Sequence, residues 1–197
     1  MKKLPDRFVD LTVTSPPYDN LRAYNGFTWD FEATAKELFR ITKDGGVIVW
    51  VVNDSTINGS ETGESFKQAL YFKSIGFNLH DTMIYAKTNP TPYHHNRYNP
   101  TFEYMFVLSK GKPKTFNPIM EKTKSKTPRT GTFRYPDGSL REANTPEPKE
   151  WKMLGNIFYY AVGVDRECKE HPAKFPEKLA NDHILSWSNP GDLVFDL

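Results

Sequence analysis

The chain has 197 residues, 38% hydrophobic and 14% aromatic, which suits one domain with a packed core and room for an insertion. No apolar run approaches the roughly 18 residues of a membrane span, and the start M-K-K-L-P-D lacks the apolar stretch of a secretory signal. Cys168 is the only cysteine, which excludes an intrachain disulfide and favours a reducing cytoplasm. No cysteine and histidine residues have zinc-ligand spacing.

The net charge of +2 hides an uneven distribution along the chain. Residues 110–141 hold nine lysines and arginines against two acidic residues, a net charge of +7, so the rest of the chain is acidic. A basic segment on an acidic body is typical of a protein that holds a polyanion with one region, although a solvated loop would have the same composition.

The first half of the chain alternates strands and helices. Residues 8–14 predict a short buried strand, and apolar residues at helical spacing predict a helix over 31–43. Asp44-Gly45-Gly46 is expected to end that helix, since glycine suits the left-handed position after a helix. The run V-I-V-W-V-V (47–52) is apolar throughout, as in a parallel strand covered on both faces.

A second cycle follows the first. Residues 66–73 predict a helix closed by Gly76, and 78–87 predict a strand. Residues 103–111 predict another strand, antiparallel to its neighbour because no helix-length segment separates them. This order predicts an α/β doubly wound sheet, in which ligands bind beyond the carboxyl ends of the strands.

Residues 112–157 break the alternation because they are rich in Pro, Lys, Thr and Gly and have little apolar periodicity. We predict three regions: a catalytic half (1–111), a basic insertion (112–157) and a final helix and strand (158–197). The helix is predicted over 175–187, with Pro176 in its first turn. A turn at 189–192 and a strand at 193–197 complete the chain.

The stretch T-S-P-P-Y (14–18) lies where the first predicted strand ends. Proline cannot donate to a sheet ladder, so Pro16 and Pro17 stop the strand and fix the backbone beyond it. Taken alone, this pattern fits a rigid strand exit as well as it fits a functional loop.

Three blocks in this order resemble the β-group DNA amino-methyltransferases, which methylate N4 of cytosine or N6 of adenine. T-S-P-P-Y resembles the catalytic motif of that family. I-Y-A-K-T-N-P followed by R-Y-N-P-x-x-E-Y-M-F-V-L-S-K-G (84–111) resembles the segment after the catalytic core. H-P-A-K-F-P-E-K-L (171–179) and W-S-N-P-G-D-L-V-F-D (187–196) resemble the helix and first strand of the methyl-donor half.

The resemblance implies a Rossmann-like methyltransferase fold whose sheet is incomplete here, with a basic target-recognition insertion. The implied methyl donor is S-adenosylmethionine. It also implies double-stranded DNA as partner, no membrane, and a bacterial or phage-infected cytoplasm, in a restriction-modification or phage system. The residues chosen from the matching motifs are catalytic Ser15, Pro16, Pro17 and Tyr18, and cofactor-binding His171, Pro172, Lys174, Pro176, Phe195 and Asp196. The predicted DNA-binding residues come from the basic insertion: Lys112, Lys114, Lys124, Lys126, Arg129 and Arg134.

The chemistry of T-S-P-P-Y supports the same conclusion from the residues themselves. The lone pair of a base amino group is delocalised into the ring, so the nitrogen is a poor nucleophile. The Ser15 hydroxyl and the Pro16 carbonyl can accept its N–H hydrogens and localise that lone pair, and the prolines keep the acceptors aimed. Tyr18 offers a ring on which a flipped base can stack. No metal is needed.

The sequence departs from the family pattern at its end. The glycine-rich loop should follow Phe195-Asp196, but Leu197 is the last residue. We therefore expect weak activity from these residues alone, unless a second chain or a missing segment completes the donor pocket.

Three alternatives remain at this stage. Ser15 before the prolines favours N4 of cytosine as the methylated atom, and N6 of adenine is the next interpretation. An inactive DNA-binding fragment is a further interpretation. Methylation of RNA or of a protein amide is disfavoured, because those relatives usually have Asn before the prolines.

Overall fold

The computed structural model describes residues 1, 3–16, 29–92, 96–124, 131–142, 149–163 and 176–197. None of the helices in these ranges is long and apolar enough to cross a membrane. The chain divides into two compact units: Met1–Asn117 with Asn156–Leu197, and Pro118–Gly155.

The described residues of the first unit form three helices, a six-stranded sheet and one short antiparallel pair, and the second unit contains two further short pairs. The elements are β1 (Val9–Thr14), α1 (Phe31–Ile41), β2 (Thr42–Val52), β3 (Thr56–Ile57), β4 (Ser60–Glu61), α2 (Glu64–Ser74), β5 (Asn78–Lys87), β6 (Phe102–Ser109), β7 (Met120–Lys122), β8 (Thr132–Arg134), β9 (Leu140–Glu142), β10 (Trp151–Met153), β11 (Ile157–Tyr160), α3 (Glu177–Trp187) and β12 (Val194–Phe195).

The large sheet has six strands in the order β11-β5-β6-β2-β1-β12. Strand β6 runs antiparallel to both β5 and β2, whereas the other neighbouring pairs are parallel. Five strands therefore point the same way, and their carboxyl ends share one edge. The predicted α/β sheet and the antiparallel strand near 103–111 are confirmed.

One face of the sheet packs against α1 and α2. Its core centres on Trp50, whose ring stacks on Trp29 and meets Phe72 edge to face. Because a buried indole N–H needs a partner, the Nε1–H of Trp50 donates to Oε1 of Gln68 on α2 at 2.8 Å. This bond fixes α2 against the middle of the sheet.

The other face packs against α3 through a buried histidine. His183 has no solvent exposure, stacks on Phe158 and places Nε2 3.3 Å from the sulfur of Met105. Its Nδ1 has no hydrogen-bond partner among the described residues. Burial lowers the pKa of His183 to about 4 despite the opposing charge of Asp182, so the ring is neutral.

The second unit contains two short antiparallel pairs, β7 with β10 and β8 with β9. Most of its described side chains are exposed, including Phe133, Leu140 and Trp151. Such a surface explains why the sequence of this region has little apolar periodicity.

Several details differ from the sequence predictions, two of them in the large sheet. Helix α1 ends at Ile41 with Thr42 as its C-cap, and Gly45 and Gly46 lie instead in an irregular stretch of β2 opposite Asp10. Gly45 has φ +80°, and a Cβ on Gly46 would lie 2.9 Å from the Lys43 carbonyl oxygen. The edge strand β11 was also missed, because it has only four residues and follows the irregular insertion.

Candidate active site

Residues of the predicted catalytic motif lie at the carboxyl edge of the sheet, where the five parallel strands end. Ser15 and Pro16 follow β1 directly, and Asn53 and Asp54 follow β2. Because β1, β2 and β12 are parallel neighbours, these positions meet the Phe195-Asp196 end of β12 at the same edge.

Ser15 is partly exposed and Pro16 is buried at this edge. Thr14, the last residue of β1, is buried and lies opposite Trp50 of β2. The backbone that leads into Ser15 is therefore held by the sheet. Pro17 and Tyr18 lie outside the described residues. The structure thus places the first half of the motif and leaves its second half as a prediction.

The predicted donor strand β12 ends opposite Thr12 of the neighbouring strand β1. Phe195 pairs with Thr12 of β1 and packs against the core on the α1 and α2 face, whereas Asp196 is exposed. Because Phe195 lies opposite Thr12, Ser15 follows three residues further along the neighbouring segment. Ser15 and the end of β12 therefore lie at the same edge of the sheet.

Helix α3 directs its N-terminus towards the same edge. It is followed by β12, and the carbonyl of Leu193, just before β12, accepts the Asp10 N–H at 3.1 Å at the opposite edge, so α3 runs against the parallel strands. Pro176 is the N-cap, one position before the predicted first turn, and its side chain makes no capping hydrogen bond. The dipole of a helix favours an anionic ligand at its N-terminus. His171, Pro172 and Lys174 lie outside the described residues.

A buried carboxylate anchors α3 to β11. Asp182 accepts a hydrogen bond from the Tyr160 hydroxyl at 2.9 Å and from Lys178 Nζ at 2.6 Å. Burial, followed by the hydrogen bond and charge of Asp182, raises the pKa of Tyr160, so this phenol stays protonated and donates. The contact holds the middle of α3 near the end of β11.

Asp54 orders the segment that follows β2. Its carboxylate accepts hydrogen bonds from the Ser65 N–H at 3.0 Å and from the Thr62 hydroxyl at 3.2 Å. Gly63 is the N-cap of α2 and has no side chain to offer, so Asp54 takes over that function from a distant position. The backbone after β1 is therefore held by Pro16, and the backbone after β2 is held by the hydrogen bonds of Asp54.

An ion pair lies on the neighbouring strands at this edge. Lys87 Nζ of β5 lies 2.7 Å from Glu103 Oε1 of β6, and both side chains are less than a fifth exposed. Burial, together with the Glu103 charge, raises the pKa of Tyr85 to about 12. Sequence reasoning did not single out this pair, although both residues lie in the quoted 84–111 block on strands predicted to be paired.

The predicted DNA-binding residues fall into three groups. Lys112 and Lys114 belong to the first unit, and the Lys114 N–H donates to the Gly45 carbonyl at the amino edge, away from Ser15. Lys124 and Arg134 belong to the second unit. Lys126 and Arg129 lie outside the described residues.

Lys114 contributes to the electrostatics of Asp10. Burial favours a higher pKa for Asp10, but hydrogen bonds from Lys43 and the Leu193 N–H and the charges of Lys43 and Lys114 outweigh it, so the pKa is lowered. The Asp10 carboxylate is thus ionised and ties β12 to β1. Lys114 supports this structural contact.

The second unit exposes aromatic and basic side chains together. Arg134 is exposed between Phe133 and Tyr135, and Lys122 Nζ lies 5.6 Å from the ring centroid of Trp151. Arginine and lysine bind phosphates, and exposed rings stack on bases. Among the described residues of the chain, no three His, Cys, Asp or Glu side chains are arranged to hold a metal ion.

Comparison with known proteins agrees with this arrangement. The sequence model of the DNA methylase family matches residues 9–197. The chain is 53% identical to the orphan methyltransferase M.BamHII of Bacillus amyloliquefaciens over 99% of its own length and 77% of that protein. It is 28% identical to the DNA adenine methyltransferase YhdJ of Escherichia coli, over 100% of the chain and 66% of YhdJ.

Solved structures share the fold at low sequence identity. The cytosine-N4-specific PvuII DNA methyltransferase aligns with a TM-score of 0.69 and 19% identity, over 99% of this chain and 69% of that one. The M1.HpyAVI complex with S-adenosylmethionine aligns with a TM-score of 0.55 and 18% identity, over 96% and 71% of the two chains. The Rossmann-like fold predicted from the motifs is confirmed. The chain belongs to the DNA methylase family and is an S-adenosylmethionine-dependent DNA amino-methyltransferase.

Proposed function

We propose that Ser15 and Pro16 activate an exocyclic amino group of a flipped base for methylation. The observation that carries this proposal is the position of Ser15 at the carboxyl edge, on the strand next to the Phe195-Asp196 end of β12. A reacting nitrogen and a methyl donor can meet at that edge without any movement of the sheet.

The residues act on the amino group by accepting hydrogen bonds. The Ser15 hydroxyl and the Pro16 carbonyl each accept one N–H of the base, which localises the nitrogen lone pair. The nitrogen then forms a bond to the methyl carbon as the carbon–sulfur bond breaks, and its extra proton leaves to solvent. Tyr18 is proposed to stack on the flipped base.

S-adenosylmethionine supplies an electrophilic methyl group on a sulfonium. We propose that the N-terminus of α3, behind Pro176, holds the donor carboxylate together with His171, Pro172 and Lys174. Phe195 and Asp196 would flank the donor at the end of β12. The exposed Asp196 fits such a ligand because it offers a carboxylate for its cationic side, and the dipole at the start of α3 favours its anionic side.

Cytosine N4 is the proposed target, on the basis of Ser15 at the first motif position. The PvuII methyltransferase is named cytosine-N4-specific and YhdJ is named an adenine methyltransferase, so the relatives include both chemistries. Identification of the modified nucleoside decides between N4-methylcytosine and N6-methyladenine.

Replacement of Ser15 by alanine tests the activation step. Loss of one preorganised hydrogen-bond acceptor should reduce methyl transfer by about 100-fold, while the affinity for duplex DNA stays within about twofold because the basic surface is unchanged. Ser60→Ala, at an exposed position in β4, is the matched control and should leave both quantities unchanged. Equal loss of transfer and DNA binding in Ser15→Ala would mean that position 15 is structural.

We propose that the second unit contacts DNA phosphates through Lys124 and Arg134, with Lys126 and Arg129. Its exposed mixture of basic and aromatic side chains supports this assignment. The double variant Lys124→Ala/Arg134→Ala should reduce the slope of log Kd against log salt by about 2. An unchanged slope would move the DNA contact elsewhere.

Lys112 and Lys114 are proposed only as secondary contacts, since they lie in the first unit and Lys114 contacts the amino edge. The single variant Lys112→Ala should therefore change the salt slope less than either substitution in the second unit.

The setting of the activity is also a proposal. A cytoplasmic enzyme of a restriction-modification or phage system fits the family, and the 53% identical relative is called an orphan methyltransferase. The relatives are longer than this chain. We therefore propose that additional chain or a partner completes the donor pocket, which equilibrium dialysis with S-adenosylmethionine can test by comparing the chain with and without the adjoining coding sequence.

A further inference from the structure

Tyr98 projects from the carboxyl edge of the sheet, where the five parallel strands end. It is the most exposed large apolar or aromatic side chain among the described residues, at 99%. Its segment connects the end of β5 to the start of the antiparallel strand β6, and the N–H of Lys87 donates to the Thr101 carbonyl at 2.7 Å across this connection. Tyr98 therefore lies at the same edge of the sheet as Ser15.

The backbone next to Tyr98 is held in place on both sides. The Arg97 guanidinium donates to the carbonyl of Gly59 and lies 3.7 Å from Oε1 of Glu61. On the other side, Pro100 restricts the residue before it to extended backbone conformations. A tyrosine ring contributes to stability when it is buried, so the fold does not explain the anchored but exposed ring of Tyr98.

The anchor of Arg97 leads back to the strands that carry the catalytic motif. Gly59 lies in the turn between β3 and β4, a short pair that follows β2, and β2 is the neighbour of β1 in the sheet. Asp54, just after β2, accepts a hydrogen bond from the hydroxyl of Thr62, just after β4, at 3.2 Å. The Tyr98 segment is thus connected through β3 and β4 to the end of β2.

The charges beside Tyr98 do not favour DNA phosphates. The Arg97 guanidinium, the cation next to this ring in sequence, is matched by the Glu61 carboxylate. Such a balanced pair gains little from a polyanion, in contrast to the basic residues at 110–141. The ring itself is therefore the group that this segment offers to DNA, and exposed rings stack on bases of any sequence.

Base flipping creates a place for such a ring. This inference rests on the proposed function, in which the target base leaves the duplex to reach Ser15, so the duplex has to lie over the carboxyl edge. Removal of one base leaves a gap in the stack, and proteins that distort DNA frequently insert a side chain between base steps. We propose that Tyr98 enters the gap left by the flipped base and stacks on the neighbouring bases, which stabilises the opened duplex. Tyr98 thus acts on the duplex, whereas Tyr18 is proposed to stack on the flipped base itself.

Two duplexes separate this function from the chemistry at Ser15. Both carry a site that the wild-type chain, expressed with its adjoining coding sequence, methylates in a host without its own base methylation. In one duplex the target base is paired, and in the other it is mispaired, which lowers the cost of flipping. Tyr98→Ala should reduce the rate of methyl transfer by about 10-fold on the paired duplex and stay within about twofold of the wild type on the mispaired duplex. Ser15→Ala should lose transfer on both duplexes.

Fluorescence of 2-aminopurine detects the insertion itself. This base analogue is placed next to the mispaired target, where it fluoresces more strongly when it lacks a stacking partner. The complex with Tyr98→Ala should be brighter than the wild-type complex, because no ring occupies the gap. The slope of log Kd against log salt should be unchanged, since the substitution removes no charge.

Two variants serve as controls. Tyr98→Phe keeps the ring and should match the wild type in both transfer and fluorescence. Leu185→Ala truncates another exposed side chain, near the end of α3 that points away from the carboxyl edge, and should have no effect on either duplex.

Wild-type transfer by Tyr98→Ala on the paired duplex would overturn the proposal, and so would an equal loss on both duplexes. Equal fluorescence of the Tyr98→Ala and wild-type complexes would place the ring outside the duplex and reject the insertion. In these cases a loss of transfer in Ser15→Ala would leave the proposed function intact. If the wild type methylates no site, the proposed function and this inference fail together.

Discussion

The buried histidine of α3 should make the stability of this protein depend on pH. His183 is fully buried between Phe158 and Met105, and its pKa is lowered to about 4 from the ordinary value of 6.5. The unfolded chain therefore binds a proton at His183 below about pH 6.5, whereas the folded chain does so only near pH 4. The contribution of His183 to the free energy of unfolding is complete above 6.5, the pKa in the unfolded chain. It is lost as the pH falls from there towards 4.

The magnitude follows from the two pKa values. Each unit of pKa difference corresponds to about 1.36 kcal/mol, so the 6.5 and about 4 of His183 give a loss of about 3 kcal/mol in the free energy of unfolding. This is a large share of the stability of a domain, typically about 5–15 kcal/mol. The nearby Asp182 charge reduces the effect but does not cancel it.

Urea unfolding between about pH 7 and about pH 4.5 measures this contribution. His183→Phe keeps a ring that can stack on Phe158 but cannot titrate, so its free energy of unfolding should fall less steeply with acidification than that of the wild type. His80→Phe makes the same substitution at an exposed site and should follow the wild-type slope. Identical slopes for wild type and His183→Phe would refute the reasoning.

Two further substitutions test the start and the end of helix α2. Asp54→Ala should cost about 1–2 kcal/mol in urea unfolding, because the Ser65 N–H at the start of α2 loses its acceptor. Asp44→Ala, which removes only an exposed ion pair, should cost less than about 1 kcal/mol; equal costs would reject the capping role. Gly76→Ala should lower the free energy of unfolding by about 1–3 kcal/mol, because φ is +113° and the new Cβ would lie 2.9 Å from Phe39 Cζ. An unchanged unfolding midpoint would reject that strain.

The sheet was predictable from sequence where burial is continuous. Residues 47–52 are apolar throughout because β2 lies in the middle of the sheet with both faces covered. Residues 78–87 have the bounds of β5, although only Met83 and Tyr85 of that strand are buried. Gly45 and Gly46 misled the prediction, since glycine after a helix and glycine in an irregular strand look alike in sequence. The difference depends on the distant Asp10, which pattern analysis of neighbouring residues does not include.

The candidate site was predictable only where a motif is local. Ser15 and Pro16 lie in one short stretch, and their position after β1 follows from the strand. The contacts between Lys87 and Glu103 and between Tyr160 and Asp182 join residues far apart in sequence. Their pairing depends on strand order and register, so it became visible only in three dimensions.

Ser15 is proposed to activate the amino group of a DNA base for methylation. The most direct test expresses the chain in a host without its own base methylation, with the adjoining coding sequence and, in parallel, with Ser15→Ala in the same background. Genomic DNA is then digested to nucleosides and quantified by mass spectrometry. We predict a peak of N4-methylcytosine, or else of N6-methyladenine, that falls by about 100-fold in the variant. Absence of both nucleosides, or an equal yield from wild type and variant, would contradict the account.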